Sequence, residues 1–414
     1  MGEPLIYDWN QVGGASAEFS RPRRVELNDE TMRDGLQSPS VQQPSIEEKE
    51  TFLRLLPTLG IGAANLGYPG ASAVAFSDVV KLARTIDQEH LPIRPNCAGR
   101  THMADIQPIL RASQASGVPI DAALFVGSSA IRQWVEDWDQ TSLLHVIETA
   151  IKAACREGLN VMFVTEDTTR ARPEDVEVMY VAAATAGATR FCVSDTVGHA
   201  TPVGTQRIIQ FVTQSLVHHG FEPVVDWHGH RDRGLDVVNA LAALAAGASR
   251  VHGCALGIGE RVGNTPMDTM LVNLVLLGWM DQDLTTLPEY CQIAAAMTGT
   301  AIARNYPVVG ADAFSTSTGV HAAAVAKAFA KGETALADAV YSGVPAGLVG
   351  RQQEILVGPM SGRSNVEYWL SHHGVESNPE RVQAILEVAK TTRQVLTEYQ
   401  IQQVLGHVEV SPGA

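Results

Sequence analysis

Two histidines separated by a single glycine, His228-Gly229-His230, are the residues of this chain whose types and spacing are best suited to chemistry. They follow the β-branched and aromatic run at residues 224–227, which predicts that the pair ends a strand. Side chains two apart on a strand point to the same face, so both imidazoles would converge on one point. Neutral imidazole is a common metal ligand, but two histidines on a strand are more often packed or solvated than metal-bound. A metal site therefore requires further ligands at the same point.

The composition is that of an ordinary soluble globular protein, with 414 residues of which 45% are hydrophobic and 18% are charged. The net charge of −15 and the absence of a Lys/Arg-rich run argue against nucleic acid and anionic membrane as partners. There is no apolar run of about 18 residues, and the N-terminus lacks the basic and apolar segments of a secretory signal. The five cysteines form no CxxC pair, which is typical of buried thiols in a reducing compartment, so we expect a cytoplasmic protein.

The elements that would position the histidines follow a regular alternation. Eight short apolar or β-branched runs alternate with amphipathic stretches, at residues 25–30, 64–68, 93–97, 122–126, 160–165, 190–194, 224–228 and 250–256. Several of the intervening stretches have helix start signals, such as Ser45 followed three residues later by Glu48. Eight strand–helix units in about 260 residues predict an α/β fold of the TIM (β/α)8 barrel type.

An open, doubly wound sheet is the alternative architecture for this alternation. It would require a glycine-rich phosphate loop after the first strand. The first strand instead runs into the charged sequence at residues 29–35, DETMRDG. We therefore favour the barrel.

Polar residues follow five of the eight predicted strands within two positions. In a TIM barrel the C-terminal ends of the strands meet at one mouth, where the chemistry takes place. Solvation of loops would explain some of these residues, but Asp34, His228, His230 and Asn264 would all project into that mouth. Two imidazole nitrogens and the oxygens of Asp34 and Asn264 would not fill the coordination sphere of a divalent ion. Positions would remain for water or substrate, which is typical of a catalytic metal site. Such mixed ligation leaves Zn, Mn, Mg and Co open.

These motifs resemble those of the DRE-TIM metallolyase superfamily, and within it the isopropylmalate synthase and homocitrate synthase family. The resemblance in the barrel is carried by residues 30–37 (ETMRDGLQ), 165–170 (TEDTTR), 194–202 (SDTVGHATP), 228–234 (HGHRDRG) and 257–264 (GIGERVGN). Beyond the barrel, residues 317–321 (STGVH), 349–351 and 361–363 are similar to the lid and tail of the synthases. The resemblance implies a catalytic barrel over 22–285, a helical lid subdomain over 286–345 and a small C-terminal subdomain over 346–414.

The resemblance also implies ligands and substrate contacts, carried over position by position. Asp34, His228 and His230 would ligate the divalent metal ion. Asn264 would be a further ligand, direct or through water. Arg33 would stabilise the oxyanion that forms from a 2-oxo acid.

The remaining matched residues would bind substrate or transfer protons. Thr196 would bind the carboxylate of the 2-oxo acid, and Gln37 would also contact substrate. Glu166, His321 and Tyr341 would take part in acid–base steps.

The activity implied by the resemblance is a metal-dependent, Claisen-type condensation of acetyl-CoA with a 2-oxo acid, giving a 2-substituted malate and CoA. The family's lid residues come from the partner subunit, so a homodimer with exchanged lids follows by analogy. A metal-dependent acyl-CoA lyase of the hydroxymethylglutaryl-CoA lyase type is the alternative, but it uses a cysteine after strand eight, and residues 257–266 contain none. A non-catalytic metabolite sensor would tolerate loss of Glu166 or His321, and both are present.

Four sites depart from the family pattern. Arg231 stands where the family usually has Asn, Leu36 and Asn65 stand where many members have Glu, and Ala123-Leu124 replaces a His-Thr pair. Three of these changes would make the pocket more apolar or less acidic. Our hypothesis is a 2-oxo acid with a larger apolar group, such as an aromatic one; neutral drift is the alternative. The chain also ends before the regulatory domain of leucine-sensitive members, so we expect no feedback by leucine.

Overall fold

The computed structural model describes residues 5–6 and 21–410, with the side chains of 407–410 excepted. Most of the N-terminal segment, in which the sequence predicts no secretory signal, lies outside the described residues. The chain forms two compact units. The first extends to Gln282 and includes Glu289–Ala301, and the second consists of Asp283–Pro288 and the chain from Ile302 on.

The first unit is built on eight parallel strands that close into a barrel in chain order, because β1 pairs with both β2 and β8. The strands are β1 (Glu26–Asp29), β2 (Ala63–Asn65), β3 (Arg94–Arg100), β4 (Asp121–Gly127), β5 (Val161–Glu166), β6 (Arg190–Asp195), β7 (Val224–Gly229) and β8 (Arg250–Gly253). Each overlaps one of the eight runs read from the sequence. The predicted TIM barrel is confirmed.

Helices follow the strands, as the alternation predicts. In the first unit they are α1 (Ile46–Leu55), α2 (Ala73–Gln88), α3 (Met103–Ser116), α4 (Ala130–Val135), α5 (Gln140–Arg156), α6 (Pro173–Ala186), α7 (Pro202–His218), α8 (Asp236–Ala245) and α9 (Met267–Leu276); α10 (Leu287–Thr298) comes next. The predicted capping box starts α1: the Ser45 hydroxyl accepts from the Glu48 N–H at 3.2 Å, and the Glu48 carboxylate accepts from the Ser45 N–H at 2.7 Å. Local sequence therefore sets where this helix begins.

Ion pairs fill the end of the barrel interior opposite the predicted mouth. The carboxylate of Asp226 is fully buried and accepts from Nη1 of Arg190 at 2.6 Å and from Nε of Arg250 at 2.8 Å. Arg190 also donates to Glu26 at 2.9 Å. Burial alone would raise the pKa of Asp226, but the two guanidinium groups hold it well below its usual range. The charge is therefore compensated inside the barrel.

Helix α10 contributes a buried tyrosine to the barrel unit. The hydroxyl of Tyr290 donates to Oδ2 of Asp29 at 2.6 Å, and its ring stacks on Phe52 with centroids 5.0 Å apart. Both Tyr290 and Asp29 are fully buried, and burial raises the pKa of Asp29 to about 6 despite this hydrogen bond. The contact explains why Glu289–Ala301 groups with the barrel.

The second unit contains α11 (Gly319–Ala330), α12 (Thr334–Ala339), α13 (Arg363–His372), α14 (Pro379–Thr391), α15 (Glu398–Val410) and a parallel pair of short strands, β9 (Ser315–Thr316) and β10 (Glu354–Ile355). Ala322 and Val325 of α11 share an apolar cluster with Ile355 and Tyr368. Residues on both sides of position 345 thus pack together. The predicted boundaries at 285 and 345 stay predictions.

In the part of the chain from 21 to 410, no helix is long and apolar enough to cross a membrane.

We expect Tyr290→Phe to destabilise the barrel unit. The substitution keeps the ring but removes the donor to a buried carboxylate, which costs about 1–3 kcal/mol of unfolding free energy. Urea-induced unfolding would measure the loss. Tyr399→Phe removes a hydroxyl from a side chain that is 68% exposed, and it should change the free energy by less than about 0.5 kcal/mol. Equal effects of the two substitutions would contradict the prediction.

Candidate metal centre

Three potential ligand atoms converge where β1 and β7 end. Nε2 of His228 lies 3.3 Å from Nε2 of His230, and the two nitrogens lie 3.7 and 3.8 Å from Oδ2 of Asp34. Nitrogen and oxygen ligands of one ion bound at about 2.0–2.2 Å are separated by about 3.0–3.4 Å. The three side chains are buried. Their spacing is thus close to that of a shared coordination sphere.

Backbone geometry brings a fourth group to the same point. His230 forms an antiparallel bridge with Asn264, which follows the loop after β8. Nδ2 of Asn264 donates to Oδ1 of Asp34 at 2.8 Å. Gly259, with φ +153°, permits this approach, because a Cβ there would lie 2.1 Å from Nδ2 of Asn264. The glycine therefore allows the loop to close over the carboxylate.

Two buried polar atoms of this group lack a hydrogen-bond partner among the described residues. They are Oδ1 of Asn264 and Nδ1 of His230. Leaving a buried acceptor unsatisfied costs about 1–3 kcal/mol, so such atoms are rare in folded proteins. A divalent ion that Asn264 ligates together with Asp34, His228 and His230 would satisfy this amide oxygen. The residues present therefore fit a divalent ion.

The protonation states also fit a metal site. Burial, together with neighbouring His230, lowers the pKa of His228 to about 3, and burial lowers the pKa of His230. Burial would raise the pKa of Asp34, but Arg33, which donates to it at 2.9 Å, and the two histidines hold that pKa well below its usual range. At neutral pH the site thus offers two neutral imidazoles and one carboxylate, the forms that bind metal.

A second buried group, Glu30 with His228 and His252, is less suited to an ion. Oε2 of Glu30 accepts from Nε of Arg33 at 2.7 Å. The ring of His252 lies between Glu30, 3.2 Å from Nδ1, and Asp226, 3.1 Å from Nε2. Glu30 and His252 are therefore already bonded to neighbours, unlike the free amide oxygen of Asn264.

The other predicted residues of the barrel line the same cavity, which has a volume of about 260 Å³. Arg33, Glu166, Thr196 and Gln37 are all at its surface. Burial raises the pKa of Glu166, although Arg132 and Arg33 oppose the shift. The Thr196 hydroxyl accepts from the Asp167 N–H at 2.8 Å, which leaves its hydrogen free to donate.

His321 and Tyr341 belong to the second unit. Their rings stack on each other with centroids 4.0 Å apart, and Tyr341 is half exposed. The structure brings these two residues together as a pair, and their predicted role in acid–base steps stays a prediction.

Two of the positions that depart from the family pattern lie in the cavity and three do not. Asn65 and Ala123 line it. Leu36 and Leu124 lie outside the lining, and Leu124 is fully buried. Arg231 is also outside it: its guanidinium lies beside Gly257, in the loop after β8. The hypothesis of a changed substrate therefore depends on Asn65 and Ala123, not on Arg231.

The sequence reasoning missed several residues that line the cavity: Glu30, Tyr68, Ala98, Phe125, Met162, Val164 and His252. Most occupy alternate positions of the strands, the pattern that places side chains on the inner face of a barrel. That alternation was the available signal. Alternation alone gives two possible faces for each strand, and only the register between paired strands shows which face points into the barrel.

A family model, two relatives and a solved structure match this chain. A family model described as HMGL-like matches residues 24–296. The chain is 32% identical over 374 residues to a "Probable 2-isopropylmalate synthase" of Methanopyrus kandleri, covering 89% of this chain and 70% of that protein. It is 30% identical over 381 residues to a homocitrate synthase of Methanocaldococcus jannaschii, covering 89% and 86%. The HMG-CoA lyase structure from Brucella melitensis has the same fold, with 17% identity, a TM-score of 0.55, and coverage of 67% and 99%.

The closed barrel with buried polar side chains at one mouth defines a TIM barrel of the type that carries its site at the C-terminal ends of its strands. Within that class the chain belongs to the HMGL-like family, of DRE-TIM barrels, and its relatives include 2-isopropylmalate and homocitrate synthases. The family predicted from the motifs is confirmed.

We expect purified protein to bind one divalent ion at this centre. Titration with Co²⁺, followed by its visible absorption, should show one site, and His230→Ala should weaken binding at least about 100-fold because a ligand is lost. His145→Ala, at an exposed position of α5, should bind as the unchanged protein does. Equal affinity of the two variants would contradict the assignment.

Proposed function

We propose that this protein is an acyltransferase that condenses acetyl-CoA with a 2-oxo acid in a metal-dependent, Claisen-type reaction, giving a 2-substituted malate and CoA. The observation that carries the proposal is the convergence of Asp34, His228 and His230 in the cavity that also contains Arg33 and Glu166. The relatives named as 2-isopropylmalate, citramalate and homocitrate synthases support the same reaction class. By family analogy we also propose a cytoplasmic homodimer with exchanged lids.

In this proposal Asp34, His228 and His230 hold the divalent ion, with Asn264 as a further ligand. When bound, such an ion supplies Lewis acidity that polarises the carbonyl group of a 2-oxo acid. The burial of these ligands keeps bulk water from the carbonyl and strengthens every electrostatic contact around it.

Arg33, Thr196 and Gln37 bind the 2-oxo acid. The Arg33 guanidinium lies against Asp34 and is part-exposed to the cavity, so it stabilises negative charge that develops on the carbonyl oxygen. The Thr196 hydroxyl donates to the carboxylate, since its oxygen already accepts from the backbone. Gln37 is exposed at the rim and offers an amide to the substrate.

Glu166 is the acid–base group of the barrel. No hydrogen bond holds its carboxylate among the described contacts that surround the cavity, and burial raises its pKa toward the range useful for proton transfer. A base must remove a methyl proton from acetyl-CoA before the new carbon–carbon bond forms. His321 and Tyr341 take part in the remaining acid–base steps by family analogy, and hydrolysis of the thioester draws the reaction forward.

The cavity has an apolar wall facing the metal centre's strands. Its inward-facing residues come from the neighbouring strands β3, β4 and β5: Ala98, Ala123, Phe125, Met162 and Val164. The register pairs Ala98 with Ala123 and Phe125 with Val164, so the wall is continuous. Apolar surface favours an apolar side chain and penalises a second carboxylate. We therefore propose a 2-oxo acid with a large apolar or aromatic group.

Release of free thiol from acetyl-CoA tests the reaction class. We expect release that requires both a 2-oxo acid and a divalent ion, because the carbonyl must be polarised before the acetyl group adds. EDTA should abolish it, and added metal should restore it. Cleavage of a 3-hydroxyacyl-CoA without condensation would instead support the lyase alternative. Absence of both activities would support a sensor.

Ala123→Leu tests the substrate class. Three added carbons in the apolar wall should lower kcat/KM for phenylpyruvate about 10–100-fold, while pyruvate changes less than about 3-fold, because only the larger group needs the space. Ala73→Leu, which adds the same carbons at an exposed position of α2, should leave both rates unchanged. Preference of the unchanged protein for 2-oxoglutarate or 2-oxoisovalerate would contradict the proposed class.

A further inference from the structure

A line of buried polar side chains runs below the metal centre and ends on Arg33. Glu30, His252 and Asp226 are at most 3% exposed. Asp226 Oδ2 lies 3.1 Å from Nε2 of His252, and Nδ1 of His252 lies 3.2 Å from Oε1 of Glu30. The proposed function uses neither Glu30 nor His252. We call these three residues the buried column.

Glu30 holds the guanidinium of Arg33 at the top of the column. Its Oε2 accepts from Nε of Arg33 at 2.7 Å and lies 2.6 Å from Nη2, while Nη1 of Arg33 donates to Asp34 at 2.9 Å. A guanidinium has five N–H groups. Three are committed to these carboxylates, so one N–H on each terminal nitrogen remains for an incoming oxygen.

The column is fixed at its other end by charge. Asp226 is bonded to Arg190 and Arg250, and both of these side chains are well buried. Burial opposes ionisation of Glu30, but Arg33 and His252 outweigh it and lower its pKa to about 2. Glu30 is therefore an ionised, oriented carboxylate before any substrate arrives.

We propose that Glu30 is a positioning residue, which aims the two free N–H groups of Arg33 at the substrate oxygen, and that His252 and Asp226 hold Glu30 in place. The proposal rests on the proposed function, in which Arg33 stabilises the oxyanion. A free arginine side chain has many rotamers, and ordering it during the reaction would add to the barrier. Donors already oriented avoid that cost.

A double-mutant cycle tests whether Glu30 acts through Arg33. Glu30→Gln is close in shape but offers one acceptor oxygen and no charge. It should lower kcat about 10–100-fold with little change in KM for acetyl-CoA, whereas in an Arg33→Ala background it should change kcat less than about 2-fold. Arg33→Lys is the second background, should Arg33→Ala not fold. Independent, multiplying losses would overturn the proposal, as would full activity of Glu30→Gln.

Glu26→Gln is the matched control, because this carboxylate belongs to the same buried network but bonds Arg190 at the far end. It should keep the kcat of the unchanged protein. Co²⁺ affinity should be the same in Glu30→Gln, Glu26→Gln and the unchanged protein. Equal affinity shows that a loss of kcat comes from a misplaced Arg33 guanidinium and not from a damaged metal site. His252→Gln should show part of the Glu30→Gln effect, because it disturbs Glu30 indirectly.

A readout without substrate separates this proposal from the proposed function. Phenylglyoxal modifies arginine side chains, and peptide mass mapping reports the rate at Arg33. Release from two charge-assisted contacts should speed that modification about 10-fold in Glu30→Gln and leave it unchanged in Glu26→Gln. Equal rates in all three proteins would overturn the positioning role, even if condensation is observed. If Arg33 is modified faster in Glu30→Gln but no condensation is observed, the positioning role of Glu30 is retained and the proposed function fails.

Discussion

Burial of the Asp34 carboxylate is the constraint around which the mouth of the barrel is arranged. A buried charge is costly unless it is paired and hydrogen-bonded. Asp34 meets that requirement through Arg33, the Asn264 amide and the backbone N–H of Glu260. Arg33 adjoins Asp34 in the segment after β1, and the other two partners belong to the loop after β8, so the pairing of β1 with β8 brings them together. The result is an ionised carboxylate directed at two neutral imidazoles.

The same requirement extends through the barrel interior. Arg33 compensates Asp34, but it also needs Glu30, and Glu30 in turn contacts His252. Carboxylates therefore alternate with arginine or histidine side chains from the mouth down to Asp226 and its two arginines. An apolar core of similar volume would often be as stable or more so. We infer that the polar interior is kept for orientation of the mouth rather than for stability.

The cavity also has an apolar surface, which is the wall formed by Ala98, Ala123, Phe125, Met162 and Val164. The charged and imidazole groups of the candidate metal centre lie on or just after β1, β7 and β8, whereas β3, β4 and β5 supply the apolar wall, with Glu166 at the end of β5. A substrate with a chelating end and an apolar end would bind across this division in one orientation. The polar groups belong to motifs that resemble those of the family, and Asn65 and Ala123 are the departures from the family pattern that line the cavity.

Sequence alone determined the eight strand–helix units, because period-two and period-3.6 patterns and helix caps are local properties. It also determined His228, His230 and Asp34 as candidate ligands, since all three lie at the C-terminal end of a strand or within five residues after it. Only the tertiary structure decided which departures face the cavity. Leu124 and Ala123 are adjacent in sequence, yet the pleat of β4 places only Ala123 at the lining. Arg231 follows a candidate ligand but turns toward Gly257, because the loop after β8 fixes its backbone.

Glu30 and His252, which are 222 positions apart, became neighbours only when β1 paired with β8 and closed the barrel. Contacts of this kind depend on register between distant strands, which no local pattern in the chain encodes.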